Sequence, residues 1–288
     1  MEYLIHLTIL FSIFAILAVS LDLVVGYTGL LSVAQAGFYG IGAYVTTLLM
    51  MNAGANFFLA LLGGVLLTAF IALLIGIVLS RFRGDYVALG SLGFNVIVFA
   101  VFLNWQDVTR GPLGIPGIDR PELFGFVFSE NTVFLALCVA FLVAVYLIAR
   151  FVTRSSFGRV LQAIREDEEA VSVFGYHTLY YKLSIFVLSA GLAAIAGGLY
   201  ASYITYIDPS SFTIVESIFV LSIIILGGLG SLRGAVIGAA VLIFLLEALR
   251  FIGFPAEVAA QMRLAFYGIL LIVMMLYRPQ GLVGKYKL

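Results

Sequence analysis

The stretch RFVTRSSFGRVLQAIREDEEAVSVFGYHTLYYK (residues 150–182) decides how the chain is organised. It gathers Arg150, Arg154, Arg159, Arg165 and Lys182 with Glu166, Asp167, Glu168 and Glu169, nine of the thirty charged side chains in the protein. Long apolar runs flank it on both sides. Charges are costly inside hydrocarbon, so this is the one substantial aqueous segment between two membrane-buried halves. Its arginines place it in the cytoplasm by the positive-inside rule. The expectation is that the two halves carry something across a membrane and that a cytoplasmic partner pushes on this segment.

Composition supports a membrane solvent. Hydrophobic residues make up 63% of the 288 and charged residues 10%, whereas soluble domains average about 45–50% and about 25%. The net charge of zero argues against nucleic acid as a partner. The runs are continuous rather than alternating, which predicts an all-α polytopic protein and not a β-barrel. The length accommodates about eight or nine spanning helices of roughly 20 residues. The first run lacks a small-residue cleavage site and is read as a retained helix. Cys138, the single cysteine, lies within an apolar run and has no partner for a disulfide.

Outward from the charged stretch, apolar runs cover 131–149, 87–103, 57–79, 36–51 and 3–25 on one side. On the other side they cover 183–207, 218–226, 235–249 and 264–277. Arg81 and Arg83, Arg233, and the tail with Arg278, Lys285 and Lys287 mark further cytoplasmic ends. Residues 104–122, with Trp105, Pro112, Pro116, Pro121 and several glycines, read as a loop on the outer face. Asp208-Pro209-Ser210-Ser211 is a cap-and-turn signal. Two topologies satisfy the charge bias: nine crossings with the N-terminus outside, or eight with 26–51 re-entrant and the N-terminus inside.

Each half carries a glycine-interrupted apolar stretch, 26–42 and 227–238. Unwound backbone is tolerated in a membrane only where protein or water covers it, so paired breaks point to a translocation pathway near the midplane. Close helix packing through small residues is the other reading. Asp22 and Glu247 are the ionisable side chains deepest in apolar runs. Asp22, one turn before Gly26, serves either as a substrate or proton site or as a brace for the break. Glu247 has the spacing of a same-face ion pair with Arg250. Tyr27, Thr28, Ser32 and Gln35 offer donors and acceptors without net charge, which suits a zwitterion or a neutral amide; interhelical hydrogen bonding is the alternative. Gly37 and Gly228 belong to the same candidate pathway.

Catalysis finds little support. His6 and His177 are far apart, no spacing matches a metal site, and no P-loop occurs, so the chain carries no ATPase site of its own and needs no cofactor. The acidic run 166–169 reads as a solvated helix N-terminus.

The sequence Glu169-Ala170-Val171-x-x-x-Gly175, followed by Tyr181-Lys182-Leu183, resembles the EAA-type loop of ABC importer permeases. Nearly end to end, the chain resembles the LivM-type permeases of branched-chain amino acid uptake systems. The landmarks are GYTGLLSVAQAGFYGIGAY (26–44), RGDYVALGSLGF (83–94), TRGPLGIPGI (109–118), YASYITYIDPSSFT (200–213), GGLGSLRGAVIGA (227–239) and RPQGLVG (278–284). Val171 departs from the second alanine of the loop motif.

The resemblance implies an ABC importer permease fold in the cell (inner) membrane. It also implies a single transmembrane permease domain over 1–288: N-terminal helices 1–151, a cytoplasmic coupling segment 152–182, and C-terminal helices 183–288. The implied partners are a homologous LivH-type permease, two cytoplasmic ABC ATPases, an extracytoplasmic solute-binding protein and the lipid bilayer. Within 162–182 a short coupling helix would seat in an ATPase cleft, with Arg165, Glu166, Asp167, Glu169, Ala170 and Gly175 at that contact. The outer loop 104–122 would help to dock the binding protein. Competing readings are an ion-coupled secondary transporter using Asp22, an ABC permease for urea or short amides, and an intramembrane enzyme.

Overall fold

The computed structural model describes residues 2–82, 84–123, 126–128, 130–250, 268–269, 272, 276–278 and 280–284. Arg83, Lys285, Lys287 and most of the run 264–277 lie outside the described residues, as does the side chain of Arg250.

The fold is all-α. The long helices are α1 (Glu2–Thr28), α2 (Gln35–Ala53), α3 (Phe57–Leu79), α4 (Asp85–Asn104), α6 (Asn131–Arg154), α9 (Thr178–Ile204), α10 (Ile214–Gly227) and α11 (Leu232–Arg250). Between α4 and α6 lies the short α5 (Gln106–Thr109), and between α6 and α9 lie α7 (Ser156–Glu166) and α8 (Glu168–Val173). Six described helical segments are long and apolar enough to cross a membrane: α1, α3, α4, α6, α9, and α10 with the turn before it. The expected eight or nine is therefore matched to six on length and composition.

Burial explains why the helices differ in sequence. The apolar window of α1 is 83% buried, whereas those of α3 and α6 are each 28% buried. α1 is a central post, and α3, α4 and α6 turn leucine, isoleucine and valine outward where lipid would be. α2 is packed between α3 and α9, so it tolerates glycine, threonine and tyrosine that a lipid-facing helix would not. Helices in lipid gain little from hydrophobic burial against each other, and close contact must supply the attraction. A Cβ on Gly42 would run into the Ala194 backbone, so this glycine sets the α2–α9 distance.

Polar contacts fix which helix ends share a side. Tyr3 donates to Glu247, His6 Nδ1 lies 2.6 Å from the Tyr203 hydroxyl, and Asn56 Nδ2 donates to Glu122 O at 2.9 Å. The first two join the start of α1 to the ends of α11 and α9, and the third joins the start of α3 to the proline-rich connection. At the other end, Arg165 reaches the last turn of α1. The N-terminus therefore lies at the end away from the charged segment. Glu247 accepts a hydrogen bond from Tyr3; the expected pairing with Arg250 falls on a side chain outside the described residues.

The proline-rich connection is more ordered than a plain loop. It holds α5, a 3-10 turn at Gly111–Leu113 and two short antiparallel pairings. β1 (Ile115–Pro116) pairs with β4 (Tyr206–Ile207), and β2 (Glu122–Leu123) pairs with β3 (Phe126–Val127). The apolar run ending at Ile207 thus leaves the helix at Ile204, where Thr205 takes a left-handed conformation with φ 59°. Backbone amides of Gly117 and Ile118 donate to Thr205 O at 3.1 and 3.2 Å, which ties the loop to the end of α9.

Candidate functional site

Residues 29–34 are not helical. Six extended residues reach about 20 Å at most, enough to carry the chain from the charged end back toward the middle of the bundle before α2 begins. Buried backbone groups there need partners, and side chains of other helices supply them. Val33 N donates to Ser91 Oγ at 2.9 Å, and Val33 O accepts from Asn95 Nδ2 at 3.0 Å. Ala36 N and Asn95 Nδ2 both donate to Ser217 Oγ at 2.8 Å. Gln35 donates to Ser20 Oγ, and Ser189 Oγ donates to Ser20 O at 2.6 Å. Five helices, α1, α2, α4, α9 and α10, thereby meet at the start of α2.

The second break, at 228–231 between α10 and α11, is built differently. Gly228 has φ 107°, a conformation that disfavours any side chain. Tail residues close the end of α10: Leu282 N donates to Leu226 O and Val283 N to Gly227 O, both at 2.9 Å. These bonds satisfy carbonyls that a helix end otherwise leaves without partners.

Asp22 ties the end of α1, which leads into the first break, to the second break. It is fully buried, and its Oδ1 accepts from Gly230 N at 2.9 Å. Gly26 sits between them so tightly that a Cβ there would overlap Asp22 Oδ1 and the Gly230 amide. Asp22 Oδ2 has no hydrogen-bond partner among the described residues. Directly above, Arg165 donates to Gly26 O, and a Cβ at Gly29 would meet the arginine stem at 3.2 Å. A guanidinium on the C-terminal carbonyls of α1 is favoured by both hydrogen bonding and the helix dipole.

The charged segment folds as an elbow. Ser155 accepts from Gly158 N at 3.4 Å at the start of α7, and Asp167 Oδ1 accepts from Ala170 N at 2.9 Å at the start of α8. The acidic run is thus split: Glu166 ends α7, Asp167 caps α8, and Glu168 and Glu169 fill the first turn of α8. Glu168 forms an ion pair with Lys182 at 2.6 Å, which fastens α8 to α9. Gly175, with φ 86°, turns the chain after α8. Val173 and Phe174 beside it are 84% and 82% exposed. An open groove of about 610 Å³ lies between α7 and α8, lined by Glu166, Asp167, Ala170 and Phe174 among others.

The remaining candidates from the sequence divide. Gln35 is in the five-helix network, and Gly37 lies against Phe94 of α4. Tyr27 is at the C-terminal end of α1 and lines one pocket with Gly230 and Arg150. Thr28 bonds back to Val24 O at 2.6 Å, and Ser32 accepts from Ala34 N at 3.4 Å, so both serve local backbone first. The sequence reading missed Ser20, Ser91, Asn95, Ser189 and Ser217. Asn95, the one amide within the run 87–103, was the available signal.

Among the described residues, no group of three or more His, Cys, Asp or Glu side chains is placed to hold a metal. Cys138 is buried and unpaired.

Comparison with known proteins agrees with this architecture. The chain is 36% identical to the high-affinity branched-chain amino acid transport system permease protein LivM of Salmonella typhimurium, over 94% of its own length and 68% of that protein's. It is 25% identical to the probable LivM of Methanocaldococcus jannaschii, over 96% and 91% of the two chains. It is also 26% identical to the LivH permease of Escherichia coli, over 95% and 92%. No solved structure matches significantly. Residues 3–275 match the family described as the branched-chain amino acid transport system permease component, and the chain belongs to that family.

Proposed function

We propose that the chain is the membrane-spanning permease of an ATP-driven importer for branched-chain, hydrophobic amino acids, located in the inner membrane. It forms one half of the translocation pathway beside a LivH-type permease. Two cytoplasmic ABC ATPases drive it, and a solute-binding protein delivers the cargo at the outer loop 104–122. The relatives named LivM and LivH support the cargo class and the pairing of two related permeases. The start of α1 opposite the charged segment supports nine crossings with the N-terminus outside. In this reading 1–288 is one domain, with 152–182 as its coupling segment.

The observation that carries the mechanism is Arg165 donating to Gly26 O. α8, with its exposed Val173 and Phe174, has the form of a short helix presented to a soluble partner. Arg165, Glu166, Asp167, Glu169, Ala170 and Gly175 would form or shape that contact. Closure of the ATPases moves α7 and α8 together. Arg165 passes the displacement to the end of α1, and Asp22 passes it to Gly230. Helices then rock about the two breaks, alternating access past Tyr27, Thr28, Ser32, Gln35, Gly37 and Gly228.

Arg165→Gln tests the link. A charge-assisted hydrogen bond is worth about 1.5–3 kcal/mol, so uptake by the assembled importer should fall roughly tenfold or more. ATPase association should fall less than uptake does, because α8 with its exposed Val173 and Phe174 is untouched. Full uptake by the variant would refute the lever. Uptake by the purified chain alone, driven by a proton gradient, would instead support an ion-coupled carrier.

A further inference from the structure

At the inner end of the bundle, a pocket of about 410 Å³ opens between α6, α7 and the start of α11. That is within the roughly 300–1,000 Å³ typical of small-ligand sites. Arg150, Arg154 and Arg233 line it, with Thr153, Gln162 and Ser231 adding hydroxyl and amide groups. No carboxylate is among its lining residues, and none of the three arginines has an ion-pair partner among the described residues. Three arginines lining one cavity without a carboxylate give it a positive potential that favours an anionic occupant. Arginine forks match phosphate oxygens in geometry as well as charge.

The approach to the pocket indicates how that phosphate is presented. Val143, Leu147, Arg150 and Arg154 are spaced by four, three and four residues, so they share one face of α6. Val143 and Leu147 are 51% and 57% exposed, one to two turns on the membrane side of the arginines. An apolar stripe leading into a basic pocket at a membrane boundary fits a molecule with both an acyl chain and an anionic head.

We propose that this pocket binds the phosphate of an anionic phospholipid from the leaflet on the coupling side. The acyl chain lies along Val143 and Leu147, and the headgroup lies between Arg150, Arg154 and Arg233. Because Tyr27 and Gly230 also line the pocket, an occupied site braces the inner end of α1 and the second break. Binding does not depend on which solute is carried.

The test uses the full chain in nanodiscs of phosphatidylcholine containing a minor fraction of phosphatidylglycerol, with retained lipids counted by native mass spectrometry. The wild type should keep phosphatidylglycerol in preference to phosphatidylcholine. Each arginine near a charged surface contributes roughly fivefold, so R150Q/R154Q/R233Q should lose on the order of a hundredfold of that preference. Arg233→Gln alone, which leaves α6 intact, should lose about fivefold. R150K/R154K/R233K should keep most of the preference, and Arg81→Gln, outside the pocket, should keep all of it.

Equal retention of both lipids by the wild type, or unchanged preference in Arg233→Gln and the triple glutamine variant, would overturn the proposal. Displacement of the lipid by millimolar inorganic phosphate would make the ligand a soluble phosphate and overturn the lipid assignment. Intact lipid preference in the glutamine variants with lost ATPase assembly would assign the arginines to a protein partner, also overturning it.

Discussion

The two interruptions of the bundle look alike in sequence and are held in opposite ways. At 29–34, Ser91 and Asn95 of α4 hold the Val33 backbone, and Ser217 of α10 accepts from both Asn95 and the first turn of α2. At 228–231, backbone meets backbone: Gly227 packs on Gly234, Gly238 on Ile223 O, and the tail residues 281–284 close over Gly228. Side-chain hydrogen bonds can exchange partners when a helix shifts by a fraction of a turn. Glycine contacts cannot, because no atom there can move aside. The first break is therefore built to rearrange and the second to hold, and Asp22 fastens the end of α1 to the second.

The sharpest way to break this contrast is Gly26→Ala, where the added methyl would overlap both Asp22 and Gly230. Overpacking costs about 1–3 kcal/mol and here also removes a buried hydrogen bond, so we expect the largest loss of thermal stability in detergent. A melting temperature equal to the wild type would mean that the last turns of α1 are not in contact with the second break. Gly228→Ala comes next. Its φ of 107° and the adjacent Gly284 backbone predict about 1–3 kcal/mol of strain and displacement of the tail. Limited tryptic proteolysis should then cut after Lys285 faster than in the wild type.

Asp22→Ala leaves the buried Gly230 amide without an acceptor, costing about 1–3 kcal/mol, whereas Asp22→Asn keeps an acceptor and should cost less than half as much. Equal destabilisation by the two would show that the carboxylate charge, and not the hydrogen bond, is what matters. Gly37→Ala should be smallest. Its new Cβ would lie 3.4 Å from Phe94 Cε1, an ordinary contact, and alanine favours the helix by up to about 1 kcal/mol. A large loss there would mean that the start of α2 packs more tightly than its neighbours indicate.

Helix positions were legible because hydrophobicity is a local property. The runs 57–79 and 87–103 fall within a residue or two of α3 and α4. Gly175 was readable as a helix stop, since only its own backbone decides that. Long-range partners were not legible. Asp22 was singled out as costly to bury, yet nothing in its surroundings named Gly230, 208 residues away. Spacing offered Glu247 the nearby Arg250, and nothing local named Tyr3, 244 residues away, whose hydroxyl donates to it. The pairing of Ile115 with Ile207 and the Ser217 network depend on which helices become neighbours, and hydropathy carries no record of that.

By itself the sequence determined a membrane solvent, an all-helical chain, and a water-facing elbow carrying the arginines. Each follows from the cost of placing individual charged or backbone polar groups in hydrocarbon. Only the tertiary structure decided that Arg165 reaches α1, that Asp22 ties the end of α1 to the second break, and that three arginines share one pocket. Hydrocarbon treats all apolar helix faces alike, so neighbours are chosen by shape and by a few buried hydrogen bonds, and these exist only once the helices have met.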